Sequence, residues 1–128
     1  MKQRSLLKKM KVERLSKKAL IHILKGGVKK KLTCVIKFYS NNCHYCHALQ
    51  DIYIDMSDSF EDVHFFAFNV ADHPPVEKIF GFTGVPTICM IKTGGASPER
   101  TVMKEPKKPN EKTWYPVSEI KAFIASGR

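Results

Sequence analysis

Two cysteines stand three positions apart in Cys43-His44-Tyr45-Cys46, after a β-branched and aromatic run, Leu32 to Tyr39, and at the start of a helical pattern. A strand turning into a helix here would bring unpaired backbone N–H groups and a partial positive charge to Cys43, and both favour a thiolate over a thiol. An ordinary thiol is only about 3% ionised at pH 7, whereas one tuned to a pKa of 7 is about half ionised. Cys43 is therefore the expected nucleophile. Cys46, one helical turn further in, is placed to resolve a mixed disulfide. His44 and His47 flank the pair and would add to thiolate stabilisation when protonated.

Other chemistries fit the same residues less well. Cys43 to His47 also spells the C-x-x-C-H haem attachment pattern, but that reading needs export and a mostly helical fold. Zinc would need a second ligand pair at finger spacing, and none is present, so no metal site is expected. Cys34 and Cys89 lie inside strand patterns and read as small buried hydrophobes. His22, His64 and His73 have no recognisable partners, and Met10, Met56, Met90 and Met103 read as core.

The elements that must position the thiols follow from periodicity. Val63 to Val70 and Thr87 to Lys92 read as strands, the latter turning at Gly94-Gly95 towards a hairpin partner near Glu99 to Met103. Cys46 to Phe60 carries Leu49, Ile52, Tyr53, Met56 and Phe60 on one face, a helix starting near Cys43. Pro74 to Phe80 suits a short helix closed by Gly81, and Val117 to Ser126 a last one. Before them, Leu6, Met10, Val12, Leu15, Ala19, Leu20, Ile23 and Leu24 recur at helical spacing up to Gly26-Gly27. The same stretch also admits a short strand at Val12 to Leu15 with Ser16 capping a shorter helix. Strands alternating with helices argue an α/β sandwich around a mixed sheet of four to five strands.

The chain has 128 residues and 43% hydrophobic content, enough for one domain with a real core and no need of disulfide staples. Its apolar runs are too short for a membrane helix. The net charge of +10 sits at one end: residues 1–31 hold twelve Lys or Arg against Glu13, and the remainder holds ten against eleven acids. Residues 1–31 thus form a basic helix or arm suited to nucleic acid or another anionic surface. Ala19 to Leu24 is too short and lacks a cleavage site for Sec-type export, so a reducing, cytoplasmic setting is expected, with organellar import through the basic start as the other outcome.

Three linked features resemble the thioredoxin family: Lys37-Phe38-Tyr39 ending a strand before the C-x-x-C, the strand end Phe68-Asn69-Val70, and Phe80-Gly81-Phe82-Thr83-Gly84-Val85-Pro86-Thr87 before a strand. The resemblance runs from about Leu32 to Met103 and resumes at the last helix. It implies a thioredoxin-like sandwich acting as a monomeric thiol–disulfide oxidoreductase, with a cis Pro86 facing Cys43 and no cofactor beyond a redox-active Cys43–Cys46 disulfide. It implies catalytic Cys43 and Cys46, a substrate groove formed by Asn42, His44, Tyr45, Val85 and Pro86, protein disulfides as substrates and an electron donor such as a thioredoxin reductase. The alternatives are a non-catalytic thioredoxin-like binding module of a larger complex, which is of a different class, and a disulfide isomerase or oxidase.

The chain departs from the family pattern in a His-Tyr linker and in Asn42, where a Trp is usual. Lys37 stands where the family usually buries an acid beneath the resolving cysteine, and Ala67 where that acid's Lys partner is common. The connection Lys104 to Pro116 is longer than the family's by about ten residues. Its Trp114 and Tyr115 suit either a recognition surface or an anchor for the last helix.

Overall fold

The computed structural model describes residues 12–128. In chain order they form β1 (Val12–Arg14), α1 (Lys17–Leu24), β2 (Thr33–Tyr39), α2 (His44–Ser57), β3 (Val63–Asn69), a 3-10 turn (Val70–Asp72), α3 (Val76–Phe80), β4 (Thr87–Lys92), β5 (Glu99–Val102) and α4 (Val117–Gly127). The strands make one five-stranded mixed sheet in the order β1-β3-β2-β4-β5. β1, β3 and β2 run parallel, whereas β4 and β5 pair antiparallel.

Alternation along the strands divides the apolar residues between two cores. Val35, Phe65, Ile88 and Met90 pack with Leu49, Tyr53 and Met56 of α2 and Ile120 and Ile124 of α4. Ile36, Phe38, Phe68, Cys89 and Ile91 pack on the opposite face with Leu20 and Ile23 of α1 and Val76 and Phe80 of α3. A period of two gives each face alternate residues, and helices cover both faces. Odd positions of β2 therefore face α2, and Lys37 is one of them.

The two readings of the first basic segment are resolved where it is described. Val12–Arg14 is an edge strand in register with Phe65 to Ala67, and Leu15 N–H continues the ladder by donating to Ala67 O at 2.8 Å. Ser16 then caps α1, its Oγ accepting from Ala19 N–H at 3.1 Å. A helix through residues 12–16 is thus not formed, because β3 offers an open edge and serine prefers the cap to the helix interior. Leu6 and Met10 lie outside the described residues.

Several boundaries fall short of the sequence expectation: β2 begins at Thr33 and α3 at Val76, and two elements end early. α2 ends at Ser57, with Asp58 N–H bonding back to Asp55 O, although Phe60 still reaches the core. β3 ends at Asn69, whose side chain accepts from Ala71 N–H at 3.0 Å and starts the 3-10 turn.

Candidate active site

β2 delivers the chain to a tight loop, Ser40 to Cys43, that is tied down before α2 begins. Asn69 Nδ2 donates to Asn41 Oδ1 at 3.0 Å, fixing the loop to the end of β3, and His47 Nε2 lies 3.0 Å from Asn41 O. Cys43 is the N-cap of α2, in an extended conformation. Its Sγ accepts from Cys46 N–H at 3.1 Å, and the two cysteines form a disulfide with Cα atoms 5.2 Å apart. Cys43 is half-buried, whereas Cys46 is only 3% exposed. An incoming partner therefore meets Cys43 first, and on reduction the free N–H groups of the first helical turn favour its thiolate.

Across from Cys43 lies the segment Gly81 to Thr87. The Val85–Pro86 peptide is cis, and the Val85 carbonyl oxygen is 3.7 Å from Cys43 Sγ. Thr87 Oγ1 donates to Gly84 O at 2.8 Å, bracing the turn, and Gly84 occupies φ +84°, a region that a side chain would strain. Val85 and Pro86 line a groove of about 430 Å³ whose other walls include Tyr45, Lys104, Glu105 and Trp114.

The long connection before α4 is a built structure. Asn110 and Trp114 exchange backbone hydrogen bonds of 2.8 and 2.9 Å, and Asn110 Oδ1 accepts from the N–H groups of Lys112 and Thr113. Thr113 Oγ1 donates to Tyr115 O at 2.8 Å, and Tyr115 is buried. This turn holds Trp114 at φ +67°, with its ring centroid 5.7 Å from that of Tyr45. Tyr45 also packs against the His44 ring at 4.1 Å.

Among the residues expected in the groove, Tyr45, Val85 and Pro86 line it, whereas Asn42 and His44 are exposed and do not. His47 turns back towards Asn41. The Asn41–Asn69 link escaped sequence reasoning, since two asparagines 28 positions apart carry no local signal. Cys34 and Cys89 are free and buried, and burial pushes their thiols up to about 11 and about 12. Among the described residues no cluster of three or more His, Cys, Asp or Glu could hold a metal.

Behind the disulfide, Lys37 is buried, and desolvation lowers its amine from 10.5 to about 8. Its Nζ lies 5.2 Å from the Tyr53 ring centroid and 5.8 Å from that of Tyr39. It lines a second cavity, of about 460 Å³, together with Cys46.

The family model for thioredoxin matches residues 11–112. Thioredoxin H2 of Arabidopsis thaliana is 33% identical over 60 residues, 47% of this chain and 45% of that protein, so the match spans about half the length of the curated relative. The crystal structure of the thioredoxin NaTrxh from Nicotiana alata superposes with a TM-score of 0.66 at 22% identity, covering 92% of this chain and 93% of that one. The Malassezia sympodialis thioredoxin gives 0.63 at 19%, covering 90% and 91%. A chain of the complex between ferredoxin:thioredoxin reductase and thioredoxin f2 gives 0.67 at 22%, covering 91% and 94%.

Proposed function

The chain belongs to the thioredoxin family, and on that footing we propose that it is a thiol–disulfide oxidoreductase that reduces protein disulfides. The observation that carries this reading is the Cys43–Cys46 disulfide at the start of α2, with the half-buried sulfur facing Val85 O and the buried one behind it. In the reduced protein the Cys43 thiolate attacks one sulfur of the substrate disulfide and expels the other as a thiolate. Cys46 then attacks Cys43 Sγ, the second substrate thiolate leaves, and the protein is left as the disulfide. Two electrons have passed to the substrate, and the departing thiolates take their protons from solvent.

Val85 and Pro86 form the floor against which an extended segment around the substrate disulfide lies, with Tyr45 and Trp114 as its wall. Asn42 and His44 meet the substrate from the solvent side of Cys43. The electron donor is a reductase of the kind that the thioredoxin f2 complex contains, acting on the same disulfide. The protein acts as a monomer in a reducing compartment, the cytoplasm. Exposed Lys17, Lys18, Lys25, Lys29, Lys30 and Lys31 extend the basic character of the start of the chain into its described part, which supports an anionic surface as a second contact.

Replacement of Cys46 by serine tests the reading. Cys46→Ser should accumulate a covalent adduct with a disulfide substrate through Cys43, visible by mass spectrometry and released by dithiothreitol, because attack remains possible and resolution does not. Trapping by Cys43→Ser instead would reverse the assignment. Absence of insulin reduction by the native chain would leave only a binding role.

A further inference from the structure

Lys37 is the one charged side chain in the buried set of the described residues, with 5% exposure. No carboxylate of the described residues pairs with it: the ion pairs there join Arg14 to Asp72 and Arg128 to Asp62. Neighbouring polar groups are committed elsewhere. The Tyr53 hydroxyl donates to Phe66 O at 2.8 Å, with Val35 O also near at 3.1 Å, and His47 Nε2 is taken by Asn41 O. An unpaired ammonium in a core is costly, and it persists where something compensates it or where it serves the site beside it. Here the compensation is partial, from the faces of Tyr39 and Tyr53. What remains is the cavity that Lys37 and Cys46 both line.

The ionisable groups around this cavity can be named element by element. β1 contributes Arg14, already paired with Asp72. β2 contributes Lys37 and Tyr39, while β3 adds only Ala67. α2 contributes Cys46, His47, the exposed Asp51 and the buried Tyr53. Cys46 sits one turn from the start of α2, with its sulfur buried on the side away from the groove. On reduction it becomes the buried anion of this cavity, whose other anionic group, the Asp51 carboxylate, is exposed.

We propose that Lys37 is a positioning residue for the second half of the reaction: its ammonium, held behind the disulfide, stabilises the Cys46 thiolate that resolves the mixed disulfide. The inference rests on the oxidoreductase reading and adds the group that sets its poise. In the step itself, the Cys46 thiolate forms a bond to Cys43 Sγ, the bond between Cys43 Sγ and the substrate sulfur breaks, and the electron pair leaves on the substrate thiolate. The proton lost earlier by Cys46 passes through the cavity to solvent. A charge that favours the thiolate favours the reduced protein over the disulfide, so the pair is a stronger oxidant than it would be with a neutral residue at this position. With its amine lowered only to about 8, Lys37 remains mostly charged at neutral pH.

Stopped-flow reaction of the fully reduced protein with 5,5′-dithiobis(2-nitrobenzoate) separates the two halves, since attack by Cys43 releases one thionitrobenzoate and resolution by Cys46 releases the second. Lys37→Met should slow the second release at least tenfold at pH 7 and move its pH midpoint up by about one unit or more, with the first release within twofold of wild type. Lys37→Arg, which keeps the charge, should restore the second release to within about threefold. At equilibrium with glutathione, Lys37→Met should shift the population towards the disulfide about tenfold, which is about 30 mV for a two-electron couple. An unchanged second phase in Lys37→Met overturns the proposal, and so does a slowed phase that Lys37→Arg fails to restore, because packing rather than charge would then be at work. If Lys37→Met does not fold, Lys37→Gln in a Cys43→Ser background gives the same decision: the Cys46 thiolate absorbance must titrate at higher pH than in Cys43→Ser alone. A wild-type protein that shows no first phase fails the oxidoreductase reading itself, whatever Lys37 does.

Discussion

Replacing Trp114 separates what its backbone costs from what its ring contributes. The residue sits at φ +67°, where an L-residue loses about 1 kcal/mol relative to glycine, and it does so because the Asn110 turn closes on it from both sides. The indole is half-buried against Tyr45 and the edge of the α2–α4 core. Burial of roughly 100 Å² of aromatic surface at about 25 cal/mol per Å² is worth about 2.5 kcal/mol. Trp114→Ala loses this burial and keeps the backbone cost. Trp114→Gly loses the burial but relieves the cost, so it should be destabilised by only about 1.5 kcal/mol. Glycine should therefore melt about 3–5 °C above alanine at this position, the reverse of the order at an ordinary site. Both variants remove the groove wall, so KM for a protein disulfide should rise about tenfold while reaction with a small aromatic disulfide is unchanged. Melting curves and the two sets of kinetics decide the matter. Glycine melting below alanine would refute the argument from backbone strain. Parallel loss of both reactions would make Trp114 a structural anchor with no part in substrate selection.

Two further outcomes follow from groups away from the groove. In the native reduced protein, half-buried Cys43 should alkylate with iodoacetamide at pH 8 while buried Cys34 and Cys89 resist until the chain is unfolded. Because burial raises those two thiols above their unfolded value of 9.0, to about 11 for Cys34 and about 12 for Cys89, the native state holds more protons than the unfolded one from pH 9 up to those values, and the Cys34 and Cys89 contribution to stability should fall across that window; Cys34→Ala/Cys89→Ala should flatten this slope. Ser16→Ala removes the acceptor for Ala19 N–H and should cost about 1 kcal/mol in urea denaturation, with no effect on disulfide reduction.

The site's outline was legible because each part has a local cause. The apolar run Leu32 to Tyr39 can only be a buried strand, and the thiols follow it at the spacing of one helical turn. The turn before β4 carries its own proline and glycines. What the sequence could not show is set by neighbours distant in the chain. Val12–Arg14 forms a strand only because β3 leaves an edge open, and helical spacing through the same residues points the other way. The loop before Cys43 is held by Asn69, whose role depends on the register that brings the ends of β2 and β3 together. Lys37 could be assigned to the α2 face by alternation, but its want of a carboxylate partner depends on what α2, β1 and β3 place around it. Likewise the contact between Trp114 and Tyr45 follows from the closure of a turn that begins at Asn110.

Tyr45 belongs at once to the stretch between the two thiols and to the wall that Trp114 completes. The two residues between such cysteines would ordinarily be treated as an adjustable dial, exchanged to move the redox balance while recognition stays in the surrounding loops. In this protein the dial and the recognition surface share a part. Grafting another linker in place of His44-Tyr45 would take away the ring on which Trp114 rests, and the choice of substrate would change with the potential. Conversely, a change in the connection from Lys104 to Pro116 reaches the disulfide through one aromatic contact. Selection for either property would act on both together, and a redesign that treats them as separable modules would find them coupled.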